Sequence, residues 1–123
     1  MSFLTYIASE YPIPESEYLW KLYQGAEDIY TEKEYIAEVI PDLQDLEGLA
    51  EFLKTLPEET EVWHIWQGIA CRPVIRTKEI PAQELTAEDI WKLIHKDVLN
   101  ETATEYDIPV QYRLVLKPQE EKV

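Results

Sequence analysis

The amino-acid sequence predicts an α+β fold, with an N-terminal helical half packed on a three- or four-stranded, mostly antiparallel sheet in the order ααα-ββαβ. Three observations lead there. Helix-start residues and terminators (Ser16, Thr31 with Glu34, Asp45, Gly25, Pro41, Pro57) crowd the first half. Runs rich in β-branched and aromatic residues follow Pro57. One strongly amphipathic segment after Thr86 separates the last strand from the others. At 123 residues the chain has the length of one domain, able to bury roughly two-thirds of the surface its unfolded form exposes. Residues 1–118 are read as that single domain and residues 119–123 as a frayed tail.

Taken in order, Phe3, Leu4, Tyr6 and Ile7 suggest a short helix that must stop before Pro12 and Pro14. Ser16 stands where an N-cap belongs, ahead of Tyr18, Leu19, Trp20, Leu22 and Tyr23, so residues 16–24 are expected to be helical with Gly25 as the stop. Thr31 and Glu34 have capping-box spacing, and Tyr30 with Tyr35 could form a hydrophobic staple, which predicts a helix over 32–40 ending at Pro41. The same residues alternate well enough to describe an edge strand. Asp45 caps a run with Leu46, Leu49, Leu53 and Leu56 at helical spacing, closed by Pro57.

Beyond Pro57, residues 61–66 (Glu61, Val62, Trp63, His64, Ile65, Trp66) read as a strand apolar on both sides, and such strands lie inside a sheet. Val74 to Ile80 is a second strand, ended by Pro81, with Gly68 in the turn between the two. Thr86 and Asp89 form a capping pair for a helix whose buried stripe is Ile90, Leu93, Ile94 and Val98, ending near Asn100. Ile108, Val110, Tyr112, Leu114 and Leu116 alternate with polar residues, as in a strand with one face buried and one wet.

Charge is the most informative bulk property. Twenty-five acidic and 11 basic residues give a net charge of −14. Residues 1–61 hold 15 acids and 3 bases (net −12), and residues 62–123 hold the remaining 10 and 8 (net −2). Such a balance argues against direct nucleic-acid binding, which requires cations to displace counterions, and favours capture of a basic partner. No apolar run approaches the roughly 20 residues of a membrane-spanning helix, the N-terminus lacks the basic start of a secretory signal, and Cys71 is the single cysteine. The expected location is therefore cytoplasmic, away from membranes.

Motifs for catalysis or cofactors are sparse. His64 and Cys71 could face each other across a hairpin turned at Gln67 and Gly68, although a longer turn would separate them, and a buried cysteine beside a core histidine is the commoner arrangement. With Trp66 and Arg72 they outline a candidate ligand pocket: His64, Trp66, Cys71, Arg72. His64 and His95 lie 31 residues apart, and the three glycines (25, 48, 68) cannot build a phosphate loop, so no metal, no cofactor and no catalytic residue is assigned. Arg72, Arg76 and Arg113, with Lys78 and Lys117 nearby, could line up as a basic stripe if the second and last strands are neighbours, or pair with Glu61 and Glu79.

The N-terminal half combines six tyrosines with fifteen carboxylates. Tyrosine offers rigid contact area with a polar tip, and complementary charge speeds encounter. The leading expectation is a non-enzymatic interaction protein of the immunity-protein, antitoxin, inhibitor or accessory-subunit kind. Its basic protein partner would meet Tyr18, Tyr23, Tyr30, Glu32, Glu34 and Glu38. A small enzyme or ligand-binding protein using the His64 pocket is the alternative, and a homo-oligomer built on the charge asymmetry is a third expectation.

Overall fold

The computed structural model describes residues 3–24, 31–41, 43–56, 59–66, 74–95 and 110–118. The strands are β1 (Phe3–Ser9), β2 (Leu19–Gln24), β3 (Tyr35–Val39), β4 (Thr60–Trp66), β5 (Val74–Pro81) and β6 (Val110–Lys117). The α-helices are α1 (Leu46–Lys54) and α2 (Ala87–Ile94), the latter preceded by a 3₁₀ turn at Ala82–Glu84. All six strands join one sheet in the order β2-β3-β1-β4-β6-β5. Neighbours run antiparallel except β5 and β6, which are parallel.

This architecture overturns the expected helical N-terminal half on a three- or four-stranded sheet. The three segments read as helices before Pro41 are β1, β2 and β3. β1 lies between β3 and β4, so its residues are buried alternately on both faces: Tyr6 and Ala8 on one, Ile7 and Ser9 on the other. A run apolar on both sides carries no period-2 signal and is easily taken for a helix. In β2 a bulge at Trp20 shifts the register, so that Leu19 opposes Val39 while Lys21 opposes Glu38. The inserted residue puts Leu19 and Leu22 on the same face at a spacing of three, which imitates a helix.

The supposed caps do other work. The Ser16 hydroxyl accepts from the Tyr18 N–H (3.3 Å) within a turn. Thr31 accepts from the Lys33 N–H (3.1 Å) and donates to Glu61 (2.5 Å), which ties the connection before β3 to the sheet. The edge-strand alternative for residues 30–40 describes the fold of 35–39, although β3 is an inner strand.

The two remaining helices form where their caps and spacing put them. The Asp45 carboxylate accepts from the Gly48 N–H (2.9 Å), and Leu49, Ala50 and Leu53 are buried. Thr86 and Asp89 complete a reciprocal capping box, burying Ile90 and Leu93. Val98 and Asn100 lie outside the described residues. α1 and α2 pack on one another and on one face of the sheet, where the larger core joins Leu49, Leu53, Ile90 and Leu93 to Ile7, Val62 and Leu114. Tyr6, Ala8, Ile36, Trp63 and Ile65 form a second cluster on the opposite face.

β4 is central and buried on both faces, as expected. β6 is not half wet: lying between β4 and β5, it buries Gln111 and Val115 as well as Tyr112, Leu114 and Leu116. It also separates β4 from β5, so these two strands do not form the hairpin that would set His64 against Cys71.

Candidate functional site

The acidic, tyrosine-bearing half of the sequence contains an edge strand. β2 pairs only with β3, leaving its outer backbone edge without a partner strand among the described residues. It exposes Trp20 (60%), Leu22 (45%) and Tyr23 (38%), three of the five large apolar side chains that stand most clear of the core among the described residues. Burying such side chains is worth roughly 1.5–3 kcal/mol each, and an unpaired edge bearing them is a ready template for another strand.

Several contacts hold this edge in place. The Tyr18 ring, just before β2, packs against Phe52 of α1 with 6.3 Å between ring centroids, and its hydroxyl donates to Asp45 (3.3 Å). Partial burial, reinforced by the Asp45 and Glu17 carboxylates, pushes its phenol above the ordinary value. A Cβ at Gly48 would meet the Tyr18 hydroxyl and the Asp45 carboxylate, so a larger residue there would displace this contact. The Ile40 N–H donates to the Tyr18 carbonyl (3.0 Å), extending the tie between β2 and β3.

The expected partner-binding residues separate into groups. Tyr23 and Glu38 share one face of the β2–β3 ladder, Tyr23 opposite Ile36 and Glu38 opposite Lys21. Glu32 and Glu34 are exposed on the connection leading into β3. Tyr18 is half-buried and engaged with α1, so it serves to anchor β2. Tyr30 lies outside the described residues.

Between Glu32 and Glu34, Lys33 turns inward with a side chain only 10% exposed, reaching Glu10 (3.0 Å) and Glu59 (3.7 Å). Burial pulls its ammonium pKa down, but the hydrogen bond and charge of Glu10, with Glu59 and Glu61, outweigh this and raise it. Glu59 also meets Lys117 at 2.7 Å. That hydrogen bond, with the charges of Lys117 and Lys33, holds the Glu59 carboxyl below its ordinary value against the opposing effect of burial.

The expected basic stripe divides across the sheet. β5 and β6 are neighbours, but their register puts Arg76 and Lys78 on the helix-bearing face and Arg113 and Lys117 on the other. Arg113 contacts Glu61 (3.7 Å) and lies 5.3 Å from the Trp63 ring centroid, while Lys117 also reaches Glu79 (3.7 Å). Pairing with Glu61 and Glu79 therefore accounts for both.

His64 is buried opposite Thr5 and lines a groove of about 650 Å³ between the sheet and α2, with Trp91 and His95 on its far wall. The Trp91 and His95 rings stack at 4.4 Å. Trp66 closes β4, and Cys71 and Arg72 lie outside the described residues.

Sequence reasoning missed Trp20, Leu22, Trp91 and His95 as surface features, because a helical reading sends the first two inward and spacing alone does not bring His95 toward His64. The bulge that exposes Trp20 follows from pairing with β3, which no local pattern encodes. Among the described residues no helix is long and apolar enough to cross a membrane. Compared with known protein families, curated proteins and solved structures, the chain finds no match in any of the three.

Proposed function

We propose that this protein is a non-enzymatic interaction module that takes up an extended segment of a basic protein along the free edge of β2. The observation that carries the reading is an edge strand, unpaired on its outer side among the described residues, that presents Trp20, Leu22 and Tyr23 within the acidic half of the chain. Strand addition supplies main-chain hydrogen bonds, and the exposed aromatic and aliphatic side chains supply pockets for alternate partner residues. Glu15, Glu17, Glu32 and Glu34 are exposed before and after the strand in sequence, a charge that draws a basic segment in and discourages a second copy of a chain with net charge −14. Inhibition, immunity or an accessory-subunit role would each follow from occupying a basic surface in this way.

The test pairs capture with a disabled edge. Tagged wild-type protein should retain one basic protein stoichiometrically at low salt and lose it as salt rises, whereas Leu22→Lys should retain none at either salt. Equal capture by both forms would reject β2 as the docking edge.

A second reading has its own observation: the groove that brings both histidines of the chain to one cavity. Its volume is that of a site for a small organic molecule, and its polar groups, Thr5, Gln44, His64 and His95, sit among apolar walls. Here Trp91, in place of a residue near Cys71, would contact the ligand. Quenching of tryptophan emission by a bound small molecule, abolished in Trp91→Phe, would favour it over the edge reading.

A further inference from the structure

At the opposite end of the sheet, two cations stand in no ion pair among the described residues, in a molecule with 25 carboxylate side chains. Lys33, Lys54, Lys92, Arg113 and Lys117 all stand in ion pairs. Arg76 and Lys78 of β5 stand in none among the described residues. Being two residues apart on one strand, they project from the same face, roughly 7 Å apart along the backbone. That face is the one on which α2 lies, and Lys92 of α2 borders the same concavity. Lys92 is paired with Glu88 (3.4 Å), which leaves Arg76 and Lys78 as the two like charges on this hollow that no ion pair offsets among the described residues.

The hollow also contains one carboxylate, Asp89, whose Oδ2 is already occupied. It accepts from the Thr86 N–H and from the Thr86 hydroxyl, both at 2.9 Å, as part of the α2 capping box. Asp89 is thereby held at the helix start, and among the described residues neither Arg76 nor Lys78 forms an ion pair with it. The concavity measures about 200 Å³, below the roughly 300–1,000 Å³ of sites for drug-sized molecules. Its occupant must be compact.

We infer that the groove between β5 and α2, formed by Arg76, Lys78 and Lys92, is a binding site for a small oxyanion of the phosphate type, either the free ion or the phosphate of a phosphomonoester. A guanidinium can grip two oxygens of such a group at once, and the two ammonium groups act as point charges on the others. Recognition is short-ranged, because the net charge of the whole molecule repels anions at a distance. This site is independent of the β2 edge and stands or falls without it.

The experiment is a titration of amide resonances in the full chain with inorganic phosphate and, separately, with glycerol 3-phosphate, ionic strength being held constant with sodium chloride. Saturable shifts centred on Arg76, Thr77, Lys78 and Lys92 are expected with at least one probe. Tighter binding of the ester identifies a phosphomonoester site, and equal or tighter binding of inorganic phosphate identifies a free-ion site. The double variant R76Q/K78Q should bind at least tenfold more weakly, in line with the loss of charge-assisted hydrogen bonds, while melting at the wild-type temperature because both side chains are exposed. Shifts that rise linearly with either probe, or equal affinity in the double variant, would overturn the assignment.

Discussion

β2 and β5 close the same sheet at opposite ends, and each presents a row of backbone groups with no partner strand among the described residues. β5 carries Arg76, Thr77, Lys78 and Glu79, all exposed, and ends in Pro81. Charges and a proline are the usual means by which an edge is kept from accepting another strand. β2 exposes Trp20, Leu22 and Tyr23 over the equivalent length and has a single lysine, Lys21, whose ammonium sits 6.0 Å from the Trp20 ring centroid. One edge is protected and the other is open. An unprotected apolar edge is a liability in a monomer unless something is meant to cover it, which is why the proposed docking strand is β2.

The contrast can be broken at either end. The largest effect is expected from Leu22→Lys, which sets a charge where a partner strand must lie. Affinity for the captured basic protein, read by calorimetry, should fall about 100-fold, in the range of an interface hot spot, with the melting temperature unchanged because Leu22 is 45% exposed. Unaltered affinity would remove the contrast between the edges.

A smaller effect, about tenfold and confined to the association rate, is expected when Glu32, Glu34 and Glu38 are replaced together by glutamine. Stopped-flow measurements at two salt concentrations should show a flatter salt dependence in the triple variant. A change in dissociation rate alone would mean that these carboxylates make close contacts and do not steer.

At the other end, Arg76→Leu with Lys78→Leu removes the protection of β5. Sedimentation should then reveal concentration-dependent self-association, weaker than capture at β2, where the wild type shows none through β5. A double variant that sediments like wild type would mean that charge is not what keeps this edge unpaired.

The smallest effect concerns the ion pairs that hold Lys33 inward, thereby presenting Glu32 and Glu34. The folded-state pKa of Glu59 is depressed, so its contribution is fully present above the ordinary carboxyl value of 4.5 and is lost as pH falls through the folded value. Lys33 and Lys117 are raised, so their share is present below the ordinary 10.5 and is lost at more alkaline pH. Glu59→Gln should lower the melting temperature by about 2–4 °C near neutral pH, and the difference from wild type should vanish below the folded-state pKa of Glu59. A difference that persists in acid would point to packing in place of charge.

Parts of this molecule were legible residue by residue. The caps at Asp45 and Thr86 act locally, through a side chain and a backbone N–H three positions away, so α1 and α2 begin where the sequence says they should. The run from Glu61 to Trp66 was recognisable as a central strand because β-branched and aromatic residues fill both of its faces. β1 has the same two-sided burial, yet its seven residues, ending before Pro12, fit a short helix as well as a strand. Of the site, Tyr23 and the carboxylates were visible as composition, whereas Trp20 and Leu22 were assigned to a buried helix face because the β2 bulge reproduces helical spacing.

Local chemistry in the sequence by itself determined the helix caps, the strand character after Pro57, the acidity of the first half and the presence there of tyrosines. Only the tertiary structure decided that Phe3–Ser9, Leu19–Gln24 and Tyr35–Val39 would be strands, that β6 would separate β4 from β5, and that β2 would be left at an edge with its apolar side chains outward. The physical reason is range. A cap or a β-branched side chain acts on its own backbone, whereas strand order and edge exposure arise from pairings between residues tens of positions apart, whose stabilisation by burial on two faces outweighs the weak helical preference of any one segment.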